Sequence, residues 1–462
     1  MKKKSLVDDF IRIKRLKKHK KNSKSAIHRI RKKKRLKHEL LKNKYLSSDV
    51  IQLHGADISY EMGRMSSTQI TVKQSDLNSF TFPATFDIFS APEEALRTID
   101  RLRSVLLHPK LKKLKLNHKK VKINSLGSEA LLGLMTNEVI SLRRHQLGEE
   151  LDIEGLFPKD KIAKALVERV GIVCELQDDA FQDASNSEHN ADVHLFRADN
   201  RYHENASVKN DRKREVAKDC VDYLEKCMNS HKLSIKSEAQ KRLIACLGEV
   251  LDNANEHCHR TKSLWYVRGY FNDVKSNDCK SRSLELMVMN FGNSISQNFL
   301  DLPNDSHVKK LAKTYVDRHR NNTAESALFT VAALQGSMSS KLDTEPTRGQ
   351  GTVTLIETFE SIYKGYRALR DPNGTTNSRA VMNIISGDTV ITFDGKHHSV
   401  VVEKEDGSEK FQMPFNGVQS LSHAPDSKYV YTMKDICFPG LMINIRIPLQ
   451  GSTKPLEGVG ND

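Results

Sequence analysis

Residues 248–259 read GEVLDNANEHCH, and this stretch combines a buried helix face with more polar side chains than solubility requires. Glu249, Asn253 and Glu256 share one side when the stretch is drawn as a helix. The polar side is either simply hydrated or holds a ligand. The apolar residues cluster on the other side and predict a face that packs on a sheet: Leu247, Val250, Leu251, Ala254 and Cys258.

Glu249 and Asn253 are separated by one helical turn, so both point the same way. A carboxylate and a carboxamide at this spacing can address one Mg²⁺ ion and one water, because Mg²⁺ prefers oxygen ligands and keeps most of its waters. An ordinary amphipathic helix with a hydrated face explains the same pattern. The run His257, Cys258 and His259 is not a zinc site, since adjacent helical residues point about 100° apart.

The run EVLDNANEH resembles the N-box of the Bergerat-type ATPases, the superfamily of histidine kinases, type II topoisomerases and mismatch-repair ATPases. Glu249, Asn253, Ala254, Glu256 and His257 match that box. The resemblance implies a domain that binds ATP and Mg²⁺. In that domain Asn253 would be the Mg²⁺ ligand, and Glu249 would be the catalytic base.

The same superfamily has an Asp-x-Gly-x-Gly turn after a strand, and this turn receives the adenine. The corresponding segment here is VMNFGNSI, which contributes the cofactor-binding candidates Asn290, Gly292, Ser294 and Ile295. Asn290 replaces the Asp and Ser294 replaces the second Gly. An Asn oxygen still accepts a hydrogen bond from the adenine amino group, but without the strengthening that a charge provides.

A third segment, TRGQGTV, places two glycines at the start of a predicted helix, where backbone N–H groups favour phosphate. The resemblance implies that residues 296–347 form a mobile lid over the phosphates. The candidate phosphate-binding residues in and beside this lid are Lys341, Arg348, Gly349, Gly351 and Thr352.

The segments ISGDTVITFDG and FPGLMINIRIPL resemble the closing strands of the same fold. We therefore expect an α+β protein in which residues 211–450 form a Bergerat α/β sandwich, with a mixed sheet and helices on one face. Polar residues 178–210 are predicted to be a linker.

Residues 66–177 alternate between strands and helices, which predicts a small α/β domain. The segment KINSLGSEALLG followed by GLFPKDKIAKALVERVGI is similar to the STAS domains of bacterial anti-sigma-factor antagonists. In those domains a Ser or Thr at the head of the helix can be phosphorylated, and Ser125 and Ser128 occupy that stretch. Asn124 and Ser125 as helix N-caps are the alternative interpretation.

Positive charge is concentrated at the N-terminus of this chain of 462 residues. Residues 1–44 contain 20 Lys and Arg against three acidic residues, a net charge of +17, whereas the remainder carries −1. Residues 1–60 are predicted to be a basic tail, and residues 1–45 could bind nucleic acid without sequence specificity. A solubilising tail is the alternative.

These features predict a cytoplasmic regulatory protein that uses ATP as a switch, either as a Mg²⁺-dependent ATPase or as a serine-type protein kinase acting on an unknown protein partner. The alternative is a scaffold with weak or no turnover that binds nucleic acid or a protein through its tail. A homodimer is expected only by analogy with the superfamily. The sequence has no apolar run of about 18 residues that would predict a membrane span, and its seven cysteines are read as free thiols.

Overall fold

The protein is described by a computed structural model, which is divided here into an N-terminal unit (residues 57–176) and a C-terminal unit (residues 195–455). The basic tail up to residue 56 and most of residues 336–379 lie outside the described residues. The described residues are 57–66, 72–176, 195–200, 206–229, 233–235, 237–256, 264–272, 283–335, 356, 360, 380–403, 409–448 and 453–455.

The N-terminal unit alternates between helices and short strands, as the sequence predicts. Its strands pair in parallel, in one sheet of order β1-β3-β5 and in a second pair, β2 with β4. The elements are α1 Asp57–Met62, β1 Ser79–Thr81, β2 Thr85–Phe86, α2 Pro92–Leu106, β3 Lys113–Asn117, β4 Ile123–Asn124, α3 Leu126–Leu142, β5 Asp152–Leu156, α4 Lys161–Arg169 and α5 Ile172–Leu176.

Local sequence accounts for where these helices begin. Pro92 opens α2 at a position where its missing N–H costs nothing, and two acidic residues follow in the first turn. Asp160 caps α4 by accepting a hydrogen bond from the Ala163 backbone N–H at 2.9 Å. Helix α1 begins inside residues 1–60, which were predicted to be tail, yet its residues Ile58 and Met62 are buried in the core. The folded part of the chain therefore begins earlier than the charge pattern indicated.

Among the residues that the structure describes, the C-terminal unit contains most of the strands and a layer of five helices whose two ends are described. Its elements are β6 Leu195–Asp199, α6 Ala206–Asn229, β7 Leu233–Ile235, α7 Ser237–Glu256, β8 Leu264–Asn272, β9 Ser283–Phe291, α8 Ile295–Leu300, α9 His307–His319, α10 Glu325–Ala333, β10 Val381–Gly387, β11 Thr389–Phe393, β12 Val400–Glu403, β13 Glu409–Gln412, β14 Val430–Thr432, β15 Phe438–Pro448 and β16 Thr453–Pro455.

Seven of these strands form the central sheet, in the order β14-β11-β10-β15-β9-β8-β6. Every pairing in this sheet is antiparallel, whereas the sequence led us to expect a mixed sheet. Strand β6 lies inside residues 178–210, so the prediction that this whole range is a linker is wrong. Its residues Leu195–Asp199 supply the edge strand of the central sheet.

Both faces of the central sheet are covered. Leu286 and Val288 of β9 belong to the core beneath the helix layer, as do residues of α6, α7, α9 and α10. Met287 and Met289 point to the other face and join the core of the N-terminal unit. Strand alternation thus sends successive residues of β9 into two different cores. The overall architecture is a mixed α+β fold of three layers.

Charged groups as well as apolar ones join the N-terminal unit to the sheet. The Leu126 backbone N–H, at the start of α3, donates to Glu285 Oε2 at 2.8 Å. Arg446 Nε donates to Glu285 Oε1 at 2.9 Å, and the same guanidinium lies 3.4 Å from Asp87 Oδ1. Glu285 is buried, and burial raises the pKa of its carboxyl group, opposed by Arg446. We call Asp87, Leu126, Glu285 and Arg446 the docking cluster.

A second buried ion pair lies on the adjacent strand β8, where Arg268 is the register partner of Met287, two residues beyond Glu285. Arg268 of β8 is fully buried and lies 3.4 Å from Glu175 Oε1 of α5, which is also fully buried. Arg268 Nη1 donates to the Ala198 carbonyl oxygen of β6 at 3.2 Å. Arg268 therefore connects Glu175 of the N-terminal unit to β6. This edge strand was not predicted from the sequence.

Gly127 marks the closest approach of α3 to the sheet. A Cβ at this position would lie 2.1 Å from Asn444 Oδ1 of β15, and Asn444 is only 1% exposed. We expect Gly127→Ala to lower the free energy of unfolding by about 1–3 kcal/mol, because the buried side chain has little room to move. Urea denaturation measures this change. Gly248→Ala on α7, where a Cβ meets nothing within 4 Å, is the matched control and should stabilise by about 0.5–1 kcal/mol. Equal stability changes in the two variants would contradict the close contact.

Glu129 on α3 makes stability depend on pH. Burial raises the pKa of its carboxyl group to about 7, from an ordinary value of 4.5. The unfolded chain releases this proton near pH 4.5 and the folded protein near pH 7, so stability falls as pH rises between these values, by about 3 kcal/mol. Glu129→Gln, which cannot ionise, should remove most of this fall.

Urea denaturation at about pH 5 and about pH 8 measures the effect of Glu129→Gln. The exposed Glu154 provides the control, since Glu154→Gln should leave the difference between the two pH values close to that of the parent protein. If the free energy of unfolding of Glu129→Gln falls between these two pH values as much as that of the parent protein, the pH dependence comes from other groups.

Candidate functional site

Helix α7 contains the described part of the stretch GEVLDNANEHCH, residues 248–256. It packs on the central sheet, as the sequence predicted. Four of the five predicted apolar residues are buried in the core between the helix layer and the sheet: Leu247, Val250, Leu251 and Ala254. The helix contacts strands β8 and β9. The fifth residue, Cys258, lies outside the described residues. The predicted packing of the apolar face is therefore confirmed for the described part of the stretch.

The predicted catalytic base and Mg²⁺ ligand both fall within α7. Glu249 and Asn253 have helical backbones, four residues apart, while their side chains lie outside the described part of the structure. Asp252, between them, is about half exposed and forms an ion pair with Lys213 of α6. The ion pair fixes α7 against α6 on the solvent side of the helix layer.

Asn290 lies at the end of β9, on the face that α7 covers. It is two residues beyond Val288, which belongs to the core under the helix layer, so alternation assigns it to that face. Its register partner on β8 is Trp265, which belongs to the same core. Asn290 is only 3% exposed, so its carboxamide is held close to the sheet and away from bulk water.

The turn after β9 is fixed by hydrogen bonds to two neighbouring strands. Gly292 adopts φ 149°, which favours glycine, and its N–H donates to the Pro439 carbonyl oxygen at 3.1 Å. Ser294 caps α8, where its Oγ accepts from the Gln297 N–H at 3.1 Å. The Ile295 N–H donates to Ser386 Oγ of β10 at 2.8 Å.

Gly440 completes this arrangement from β15. It adopts φ 140°, and a Cβ at this position would lie 2.0 Å from the Asn290 carbonyl oxygen. Ser386 Oγ also donates to the Gly440 carbonyl oxygen at 3.1 Å. Sequence reasoning missed Ser386 and Gly440, because their importance arises from strand pairing. The Pro-Gly pair at 439–440 was the available signal.

The prediction of a mobile lid over residues 296–347 is wrong for its larger part. Residues 295–335 contain α8, α9 and α10, and their apolar faces are buried in the core under the helix layer. Among the buried residues are Val308, Ala312, Val316, Leu328 and Val331. The apolar periodicity of α9 and α10 requires such burial. Only residues 336–347 of the predicted lid lie outside the described residues.

The predicted phosphate-binding residues also lie outside the described residues. These are Lys341, Arg348, Gly349, Gly351 and Thr352. The chain is described again at Ile356 and Glu360, which are both helical, and Ile356 is fully buried. The Glu360 carboxylate accepts from the Ser399 N–H at 2.7 Å and from Ser399 Oγ at 2.6 Å. The first two described residues after the glycine pair are thus helical, in the stretch where the sequence predicted a helix.

Ser125 and Ser128 at the start of α3 have structural roles. Both are fully buried beneath the central sheet. Ser125 Oγ accepts from the Ile88 N–H at 2.9 Å, and the Ser125 N–H donates to Ser128 Oγ at 3.3 Å. Ser128 Oγ donates to the Phe86 carbonyl oxygen at 2.6 Å. The N-cap interpretation is confirmed for Ser125, and neither hydroxyl is accessible to a kinase in this docked arrangement.

Asn124 does not cap α3 through its side chain. Its Nδ2 donates instead to Glu129 Oε1 at 3.0 Å and to the Ala163 carbonyl oxygen at 3.2 Å. These bonds join α3 to α4 inside the N-terminal unit. The cap interpretation therefore holds for Ser125 alone.

The docking cluster is another feature that sequence reasoning missed. Its signal is the presence of Glu285 and Arg446 inside otherwise apolar strands, in SLELMVMNF and INIRIPL. Charges at such positions require partners, because burying an unpaired charge is costly. The sequence shows that partners are needed, but it does not show that Asp87 and the start of α3 provide them.

Within the described ranges, no group of three or more His, Cys, Asp and Glu residues could hold a metal ion. Mg²⁺ bound to a nucleotide takes only one or two protein ligands, so the predicted Asn253 ligand does not depend on such a group. None of the helices in the described part of the chain combines the length and apolar character that a membrane span requires. Cys174, Cys220 and Cys437 are free thiols, as predicted.

The chain was compared with family models, curated proteins and solved structures, and none of the three comparisons gives a match. Function must therefore be argued from the geometry of this chain. In that geometry α7 contacts β8 and β9, Asn290 at the end of β9 lies on the sheet face that α7 covers, and the turn from Gly292 to Ile295 follows it. The turn is fixed by Ser386 and Gly440.

Two serines should fix different parts of this turn. Ser386→Ala removes the acceptor of the Ile295 N–H, and we expect hydrogen exchange of that amide to speed up about fivefold, the equivalent of about 1 kcal/mol. Ser294→Ala should instead speed up exchange of the Gln297 amide, which loses its cap. Amide exchange followed by NMR separates the two sites, and each variant serves as the control for the other. Unchanged Ile295 exchange in Ser386→Ala would contradict the proposed attachment of the turn to β10.

Proposed function

We propose that this chain binds Mg²⁺-ATP in a site of the Bergerat type and acts as a nucleotide-controlled regulatory protein. The observation that carries the proposal is the position of Asn290, at the end of β9 and on the same sheet face as α7. The N-box residues and the adenine-turn residues come from separate parts of the sequence. Their convergence on one face is what a nucleotide site made from them requires.

The chemistry of the described residues fits an adenine. Asn290 offers a carboxamide oxygen that can accept from the adenine amino group, at a position sheltered from bulk water. Gly292, two residues beyond Asn290, has no side chain, and the Phe291 side chain between them enters the core of the N-terminal unit, so that a flat ring can approach the backbone of the turn closely. Hydrogen bonds donated by the Ile295 N–H to Ser386 Oγ and by the Gly292 N–H to the Pro439 carbonyl oxygen keep this turn in place before the nucleotide arrives. Such preorganisation lowers the entropic cost of binding.

The roles assigned to α7 follow from residue chemistry and helical spacing. Asn253 would be the protein ligand of Mg²⁺, which neutralises charge on the phosphates when it is bound. Glu249, one turn earlier, would accept the proton of the attacking water or hydroxyl as general base. Lys341, Arg348, Gly349, Gly351 and Thr352 are proposed to contact the phosphates. Turnover would make the protein an ATPase when the acceptor is water, and a serine-type kinase when it is a partner's hydroxyl.

One observation favours the alternative, a scaffold with weak or no turnover. Asn290 replaces the acidic residue expected in the adenine turn, so the hydrogen bond to the adenine amino group lacks a charge. A protein of this kind would use nucleotide binding, with the basic tail of residues 1–45, to hold nucleic acid or a protein partner in the cytoplasm. Retention of both Glu249 and Asn253 favours turnover.

Binding and turnover should respond to different substitutions. Asn290→Leu removes the adenine acceptor and should weaken ATP binding by about tenfold or more, as measured by calorimetry with Mg²⁺ present. Glu249→Gln should keep ATP binding close to the parent value. In the same variant, release of γ-labelled phosphate or labelling of protein should fall about 10²–10⁴-fold.

Glu238→Gln is the matched control for Glu249→Gln. It makes the same change of charge on the same helix, about 16 Å away along the axis, and should leave both binding and turnover unchanged. Label on protein identifies a kinase, and free phosphate identifies an ATPase. ATP binding without turnover supports the scaffold. Absence of ATP binding in the parent protein would contradict the proposed function altogether.

A further inference from the structure

The carboxyl ends of the parallel strands β3 and β5 carry an unusual concentration of positive charge. Asn117 and Leu156 are register partners at these ends, so the loops that follow begin side by side. The His118 N–H donates to the Leu156 carbonyl oxygen at 2.8 Å and joins the two loops. We call the exposed lysines of these loops and of the first turn of α4 the lysine patch: Lys119, Lys120, Lys122, Lys159, Lys161 and Lys164.

Few acidic groups neutralise the lysine patch. Lys164 lies 3.5 Å from Glu168, and it is the one member with an ion pair among the residues that the structure describes. Asp160, the nearest acid in sequence, is occupied in capping α4. The chain beyond the N-terminal tail carries a net charge close to zero, so this local excess is a particular feature of the surface.

Apolar side chains lie among these lysines. Phe157 follows β5 and is 37% exposed, and Lys164 Nζ lies 5.7 Å from the centre of its ring. Ile123, next to Lys122, is 51% exposed. A surface that only keeps the protein soluble does not need exposed apolar groups between its charges. A polyanion with flat, apolar bases offers matching chemistry for both kinds of side chain.

We propose that the lysine patch is a binding surface for single-stranded nucleic acid. The ammonium groups contact the phosphodiester backbone, and Phe157 stacks on a base. The surface lies on the N-terminal unit, so it is separate from the basic tail and from the candidate nucleotide site. Binding at this surface needs neither ATP nor Mg²⁺, and failure of the proposed ATP site leaves the proposal intact.

The test uses the full chain without ATP and a fluorescent oligodeoxythymidine of about 20 nucleotides. The variant Lys119→Gln/Lys120→Gln/Lys159→Gln should weaken binding about tenfold at low salt. The plot of log affinity against log salt should become shallower by about 2, because each phosphate contact contributes about 0.7 for a single strand. Contacts made by the tail persist in every variant, and the comparison of slopes therefore isolates the patch.

The control Lys310→Gln/Lys313→Gln/Lys428→Gln removes the same charge from three exposed lysines elsewhere. It should keep the parent slope, and equal slopes for the two triple variants would overturn the proposal.

Phe157→Ala should weaken binding to the single strand about tenfold and leave a duplex of similar charge unaffected. If patch substitutions reduce binding to polyglutamate or to phosphatidylserine vesicles as much as to the oligonucleotide, the surface is a general anion site and the proposal fails.

Discussion

The contact on which the rest of the structure depends is the docking of the start of α3 onto the central sheet. Glu285 accepts the Leu126 N–H and pairs with Arg446, while Arg446 also reaches Asp87. Glu285 and Arg446 are register partners in one sheet, so separation of the two units would leave them paired with each other but would remove the Leu126 N–H from Glu285 and Asp87 from Arg446. The N-terminal unit is thereby part of the same folded body as the sheet, and Ser125 is enclosed in it.

A sheet covered on both faces explains the composition of its central strands. Strands β8 and β9 are buried at all but their first residue, because alternate side chains enter the helix-layer core and the core of the N-terminal unit. Arg268 and Glu285 interrupt these apolar strands only where a partner from the N-terminal unit meets them. The candidate nucleotide turn lies at the end of β9, whose opposite face carries the docking cluster. One strand thus joins the candidate site to the N-terminal unit.

Much of the local structure could be predicted from the sequence, since it depends on nearby residues. The apolar face of α7 follows from helical periodicity, and the Ser125 cap follows from capping chemistry. The lid was predicted from the family resemblance, and that prediction was wrong for residues 296–335, because α8, α9 and α10 bury apolar side chains in the core under the helix layer. Strand β6 was missed in a polar stretch, because pairing with β8 makes it a strand. The roles of Ser386 and Gly440 in fixing the turn after β9 could not be predicted, because they depend on pairing between strands that are distant in sequence.

The sequence by itself indicated many of the helices and strands, and its resemblance to an N-box is the basis on which a nucleotide site is proposed. Spacing along one helix is enough to associate Glu249 with Asn253, since helical geometry is local. Only the tertiary structure decided that Asn290 faces α7, that Phe157 lies among lysines and that Ser125 is enclosed. Each of these relations joins residues distant in sequence, and it is set by which strands pair and which faces are buried. Such pairing and burial are favoured because they give buried charges partners and remove apolar surface from water.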